Sequence, residues 1–157
     1  MKKQIFTIGH SNHSWEMFYQ LLHDRHLEIV CDIRSAPYSK YVKWACYDNL
    51  RRYLASNDIR YEYLGKVLGG KRTKGMTYAD IAEREDFQKG LKKLRKLAQN
   101  KRLALLCAEE NPLRCHRDGL VAKNMLKNYE DIEIIHIRAD GRLQKADLSE
   151  EKMFLNL

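Results

Sequence analysis

Short continuous apolar runs alternate along this chain with longer stretches in which apolar residues recur at helical spacing. Residues 4–8 are apolar and β-capable and close at Gly9, which marks a first strand. Behind Ser14, a suitable helix cap, Trp15, Phe18, Leu21 and Leu22 share one helical face. Residues 28–33 carry Ile29, Val30, Cys31 and Ile33 almost without interruption, the pattern of a strand covered on both faces. Leu50, Tyr53 and Leu54 predict a helix over 47–57, and the alternation in 59–64 predicts a third strand near a sheet edge. A short helix is expected over 78–83. Phe87, Leu91, Leu94 and Ala98 mark a longer one, and Leu103–Cys107 is a fourth strand. Asn111-Pro112 fits a cap followed by proline in the first turn, opening a helix from 111 or 114 to 128. Residues 132–137 form a fifth strand, Asp140-Gly141 a tight turn, and 149–154 a short terminal helix.

Strands and helices alternate without a linker, repeat or low-complexity segment. The expectation is one α/β domain over residues 1–157: three layers, with a mainly parallel, Rossmann-like five-stranded sheet and helices on both faces. A strand order of 3-2-1-4-5 would put the topological switch between the first and fourth strands.

Composition narrows the function classes. No apolar run approaches the length of a membrane helix, and the first residues lack a signal-peptide core, so a cytoplasmic protein is expected. The four cysteines have neither the density nor the spacing of a disulfide framework, and none form a Cys-x-x-Cys pair. The formal net charge of +8 favours acidic partners such as nucleotides, nucleic acid or small phosphorylated ligands, although lysine-rich helix faces alone also produce it.

Polar residues then fall at informative places. Three apolar strands end in polar clusters: Gly9-His10-Ser11, Asp32-Ile33-Arg34-Ser35, and Cys107-Ala108-Glu109-Glu110, the last leading to Arg114-Cys115-His116-Arg117. In a parallel sheet these ends share one edge, where ligands bind. Asp32 and Arg34, two apart, would share a side if the strand continued; the plainer alternative is a local ion pair opening a loop. Glu109, preferred to Glu110, is a general-base candidate if burial raises its pKa. Arg114, His116 and Arg117 near a helix start suit an anion clamp. Cys115 in that setting is a candidate reactive thiol, whereas Cys107 reads as core. Gly69, Gly70 and Lys71 open a flexible basic loop able to close over a phosphate. The tyrosines of the third strand read as core or as stacking surface. The spacing from Cys107 to Arg114 is one residue too long for a phosphatase loop, and no compact metal-ligand pattern appears among His10, Cys107, Cys115 and His116. Neither a metal nor another cofactor is expected.

The sequence resembles the bacterial and archaeal family called domain of unknown function 488. The resemblance is carried by Thr7-Ile8-Gly9-His10-Ser11, by Asp32-Ile33-Arg34 with Pro37 and Ser39, and by Ile59-Arg60-Tyr61 and Leu68-Gly69-Gly70. It continues through Leu105-Leu106-Cys107-Ala108-Glu109, Cys115-His116-Arg117 and His136-Ile137 with Asp140-Gly141. Where the family shows an Asn-Pro pair and a Phe, this chain reads Tyr41-Val42-Lys43-Trp44-Ala45-Cys46-Tyr47, so a different loop after the second strand is expected. The resemblance implies that His10, Asp32, Arg34, Glu109, Cys115, His116 and Arg117 are signature positions; it implies no reaction.

The expected function is therefore an enzyme hydrolysing a phosphoester or N-glycosidic bond in a nucleotide or nucleic acid. Arg34, Arg114 and Arg117 would hold the anion, with Ser11, Cys115, Gly69, Gly70 and Lys71 around it. Glu109 or Asp32 would act as base, and His10 or His116 would move the proton. The rival readings are a non-catalytic nucleic-acid-binding module using Lys71, Arg72, Lys74 and the lysine-rich helix, and thiol chemistry at Cys115.

Overall fold

Residues 1–148 are described by a computed structural model; the helix expected over 149–154 lies outside the described residues. Six strands form one sheet: β1 (Lys3–Gly9), β2 (Ile29–Asp32), β3 (Arg60–Tyr63), β4 (Leu103–Cys107), β5 (Ile132–Ile137) and β6 (Leu143–Lys145). Helices α1 (Trp15–Asp24), α2 (Tyr47–Ala55), α3 (Gly65–Leu68), α4 (Tyr78–Ala82), α5 (Glu85–Asn100) and α6 (Lys123–Asn128) connect them. Ser14 caps α1 through its side chain, and Thr77 and Asp80 form a reciprocal cap on α4, which fixes where both helices begin.

The strand order is β3-β2-β4-β1-β5-β6. This corrects the expected order, because β4 is inserted between β2 and β1. The guess had kept the first two strands adjacent, the commoner arrangement for sequential strands. All pairings are parallel except that of β5 with β6. The sixth strand follows from the Asp140-Gly141 turn, where Gly141 takes φ +87° and the chain folds back on β5.

Strand parity divides the core. Phe6, Ile8, Val30, Ala104, Leu106, Ile135 and Ile137 pack on Phe18, Leu21 and Leu22 of α1 and Leu50 and Leu54 of α2. On the opposite face Ile5, Ile29, Cys31, Leu103, Leu105 and Ile134 pack on Phe87, Leu91 and Leu94 of α5 and on Met125 of α6. Connections moving toward β3 therefore cross one face and those moving toward β5 cross the other, as crossovers of a single hand require. The chain leaves β2 toward one edge of the sheet and leaves the neighbouring β4 toward the other. The switch point thus lies between β2 and β4, not between β1 and β4.

The region after β4 also differs from the single helix expected. Asn111 does cap, accepting from Leu113 N, and Pro112 opens a tight turn over Pro112–Arg114. Cys115 is then extended (φ −137°, ψ 150°), and a wide turn over Arg117–Ala122 leads into α6. The interruption directs Cys115 and Arg117 back toward the end of β4.

Candidate active site

A crevice of about 380 Å³ opens at the β2–β4 switch. It is lined by Arg34, Ser35, Ala36 and Tyr38 after β2, by Gly70, Lys71 and Tyr78, and by Cys107, Ala108, Glu109, Arg114, Cys115 and His116 after β4.

β2 ends at Asp32, and the chain curls so that Arg34 returns onto that carboxylate. Asp32 is fully buried. Its Oδ1 accepts from Arg34 N (3.1 Å) and Nε (2.9 Å), and its Oδ2 from Arg34 Nη2 (2.7 Å) and Tyr61 OH (2.6 Å). Burial and the Asp32 charge push the Tyr61 hydroxyl up, so it remains a donor. Burial opposes the charge on Arg34, but its bonds to Asp32 win and raise its pKa. One donor of this buried guanidinium, Nη1, has no partner. The plainer expectation of a local ion pair was therefore right in geometry, and the pair is a buried, braced one.

The β3–α4 loop closes one side. A Cβ on Gly70 would stand 2.5 Å from Cβ of His116, and one on Gly69 would meet Ser35 Oγ, so both glycines permit this close seating. Lys71 N donates to Ser35 Oγ at 3.0 Å. Arg72 lies over the Tyr78 ring, 4.4 Å from its centroid.

His116 donates from Nε2 to Ile33 O at 2.7 Å, leaving Nδ1 toward Cys115 Sγ at 3.7 Å. Burial lowers its pKa and keeps the ring neutral. Glu109 and Arg114 are exposed at the rim, so Glu109 lacks the burial expected of it. Glu110 turns away and pairs with Arg138 (2.9 Å).

Arg117 departs from expectation. It is fully buried and does not line the crevice. Its Nη1 donates to Glu109 O (2.8 Å) and Cys107 Sγ (3.1 Å), and its Nη2 to Glu110 O (2.7 Å). The room for it comes from Gly9, where a Cβ would meet Glu109 O at 1.8 Å. Arg117 thus props the β4 loop instead of clamping a solvent-side anion.

The two thiols lie against each other, with Cys107 in the core as expected. Cys115 donates to Cys107 Sγ at 2.7 Å. That bond and burial raise the Cys115 pKa. Burial opposes ionisation of Cys107 too, but the Cys115 hydrogen bond and the Arg117 charge outweigh it and lower the Cys107 pKa. Cys107 therefore lies in the core, as sequence pattern assigned it, and is also the thiol of the pair whose pKa is lowered.

His10 and Ser11 stand apart. His10 is buried, with Nδ1 against Ser11 O (2.9 Å) and its ring edge-on to Trp44. Burial lowers its pKa. Ser11 lines a neighbouring depression of about 550 Å³ that shares Glu109 and Arg114 with the crevice. With β4 between β1 and β2, the β1 end lies one strand away from the switch. Tyr61 and the buried chain Thr7–His136–Asp118 (2.6 and 3.0 Å) were also not foreseen. Only the register of Tyr61 beside Val30, two residues before Asp32, reveals the first.

Among the described residues no group of three or more His, Cys, Asp or Glu gathers as a metal site, and no helix is long and apolar enough to cross a membrane. The family model described as domain of unknown function DUF488 matches residues 14–123. No curated protein and no solved structure matches the chain.

Proposed function

Because the chain belongs to the DUF488 family, whose description names no reaction, we propose its function from the crevice itself: a cytoplasmic enzyme that hydrolyses a phosphoester or N-glycosidic bond in a nucleotide or nucleic acid. The observation that carries this reading is Arg34, a guanidinium of a crevice-lining residue with two nitrogens fixed on Asp32 and the third, Nη1, buried without a partner. A buried N–H without an acceptor costs about 1–3 kcal/mol, and a phosphate oxygen would satisfy it with a charge-assisted bond. Lys71 and Arg114 add positive charge at the same opening.

In this reading Arg34, Lys71 and Arg114 hold the phosphate. Asp32 and Tyr61 are positioning residues that aim Arg34, and all acceptor directions of Asp32 are used in doing so. Glu109, exposed to water beside the anion, takes a proton from the attacking water. His116, neutral and lining the crevice, is the better placed of the two candidate histidines to move a proton. The Tyr38 and Tyr78 rings offer apolar surface for a base or sugar.

Calorimetric titration with inorganic phosphate and nucleoside monophosphates tests the binding. Arg114→Gln, an exposed change, and Arg34→Gln should each weaken affinity by about tenfold, the value of one charge-assisted hydrogen bond. Glu109→Gln should leave binding and abolish turnover of a nucleotide and oligonucleotide panel followed by chromatography. Unchanged binding in an Arg34→Gln/Arg114→Gln protein that still folds would sink the proposal.

A further inference from the structure

At and beneath the crevice floor lies a second set of groups, of which only His116 has a part in the proposed hydrolysis. Cys107 closes β4, and the extended Cys115 backbone brings its thiol to within 2.7 Å of Cys107 Sγ. A closure of about 0.7 Å separates this contact from a disulfide bond. Arg117, fully buried, points Nη1 at the Cys107 sulfur from 3.1 Å, and its Nε has no partner. His116 presents its unprotonated Nδ1 to Cys115 Sγ. A guanidinium on one sulfur, a base on the other and near-contact between them are the parts of a two-cysteine redox site.

We propose that Cys107 and Cys115 are a redox centre, oxidised to an intrachain disulfide by a small hydroperoxide. Cys107 is 1% exposed at the crevice floor, which disfavours bulky oxidants relative to a small hydroperoxide. The Cys107 thiolate attacks one oxygen of the peroxide. An S–O bond forms, the O–O bond breaks, and the departing oxygen takes a proton and leaves as alcohol or water. Cys107 is then a sulfenic acid. Cys115 gives its proton to His116 Nδ1 and its sulfur attacks Cys107. The S–O bond breaks, and the leaving hydroxide takes that proton as water. The two thiols lose two electrons and the peroxide gains them; two equivalents of a small thiol restore the pair by exchange.

Neither of the other cysteines has this setting. Burial pushes Cys31 up to about 12, and Cys46 rests against Ser39. They serve as internal references. The inference does not depend on the phosphate reading, because its readout is covalent and needs no substrate.

The test treats the reduced full chain with hydrogen peroxide and follows it by intact mass and non-reducing peptide mapping. The expected product has lost two hydrogens and links Cys107 to Cys115. Cys115→Ser should instead accumulate a sulfenic acid at Cys107 that dimedone traps, and Cys107→Ser should oxidise Cys115 about tenfold more slowly. Oxidation that falls on Cys46 or Cys31 first, disulfides only between chains, or equal Cys115 oxidation in the Cys107→Ser protein would overturn the proposal. The wild-type product decides the matter even if a variant misfolds.

Discussion

Two basic regions lie at opposite ends of the sheet, and they hold their cations in different ways. At the carboxyl ends of the strands, Arg34 and Arg117 are buried and fixed by Asp32, Tyr61 and the Glu109 and Glu110 carbonyls. At the amino ends lie two larger hollows. One, about 500 Å³, is lined by Lys2, Lys3, Lys101 and Arg102; the other, about 630 Å³, by Lys92, Lys93, Lys96 and Lys101. There Lys93 pairs with Glu62 and Lys101 with Glu28, through lysines about half exposed to water. Such pairs contribute about 0–1 kcal/mol and fade with salt. Cavity size does not separate the ends, because the Ser11 depression beside the crevice holds about 550 Å³, whereas preorganised charge lies at the carboxyl end. Preorganised donors recognise a particular anion, whereas solvated lysines attract any anion. This is why we propose the smaller crevice as the site.

The comparison breaks most visibly at the Asp32–Arg34 pair. Arg34→Met leaves a buried carboxylate with only Arg34 N and Tyr61 as donors, and stability should fall by about 3–5 kcal/mol in urea unfolding. Tyr61→Phe removes one donor from the same carboxylate and should cost about 1.5–3 kcal/mol. Equal losses from Lys101→Ala, whose partner Glu28 is exposed, would show that the two ends do not differ.

A titration sharpens the same contrast. His10 and His136 are buried and His116 is half-buried in the half of the molecule that carries the crevice, and burial lowers the pKa of each despite a partially offsetting hydrogen bond. The unfolded chain therefore binds more protons than the folded one just below about pH 6.5, the ordinary histidine value. Stability contributed by these neutral rings is complete above that pH and is lost as pH falls through the window above carboxylate titration. The urea midpoint should be lower at pH 5.5 than at pH 7.5. His136→Asn, which removes the ring between Thr7 and Asp118, should flatten that slope. A midpoint independent of pH over this range would mean that the rings are solvated.

Much of this arrangement is legible in the sequence, because apolar periodicity alone decides β1–β5 and α1, α2 and α5, though not β6. Polar residues at strand ends likewise mark the edge that carries the proposed site. What is not legible depends on strand order. Placing β4 beside β2 brings Cys107 and His116 to Arg34 and leaves His10 one strand away, and no local pattern encodes that neighbourhood. The Arg117 error has the same origin: a charged residue near a helix start normally faces water, and only the tight approach at Gly9 reveals a buried slot for it. The two thiols, separated by seven residues of sequence, meet because the chain after Pro112 breaks its helix at Cys115.

The smallest effect is expected at the lysine-rich end, and it separates the enzyme from a plain nucleic-acid-binding module. Lys92→Ala with Lys96→Ala should change stability by less than about 0.5 kcal/mol. If those lysines touch single-stranded nucleic acid, each lost contact should reduce the slope of log affinity against log salt by about 0.7. Phosphate affinity at the crevice should not move, because no lysine of that hollow lines it. An oligonucleotide that binds through Arg34 and Arg114 would instead keep its salt slope in the lysine variant and lose affinity in Arg114→Gln. Should the lysine change abolish oligonucleotide binding while Arg34→Gln and Arg114→Gln leave it intact, the solvated end is the functional one, and the fixed charges around Asp32 serve stability alone.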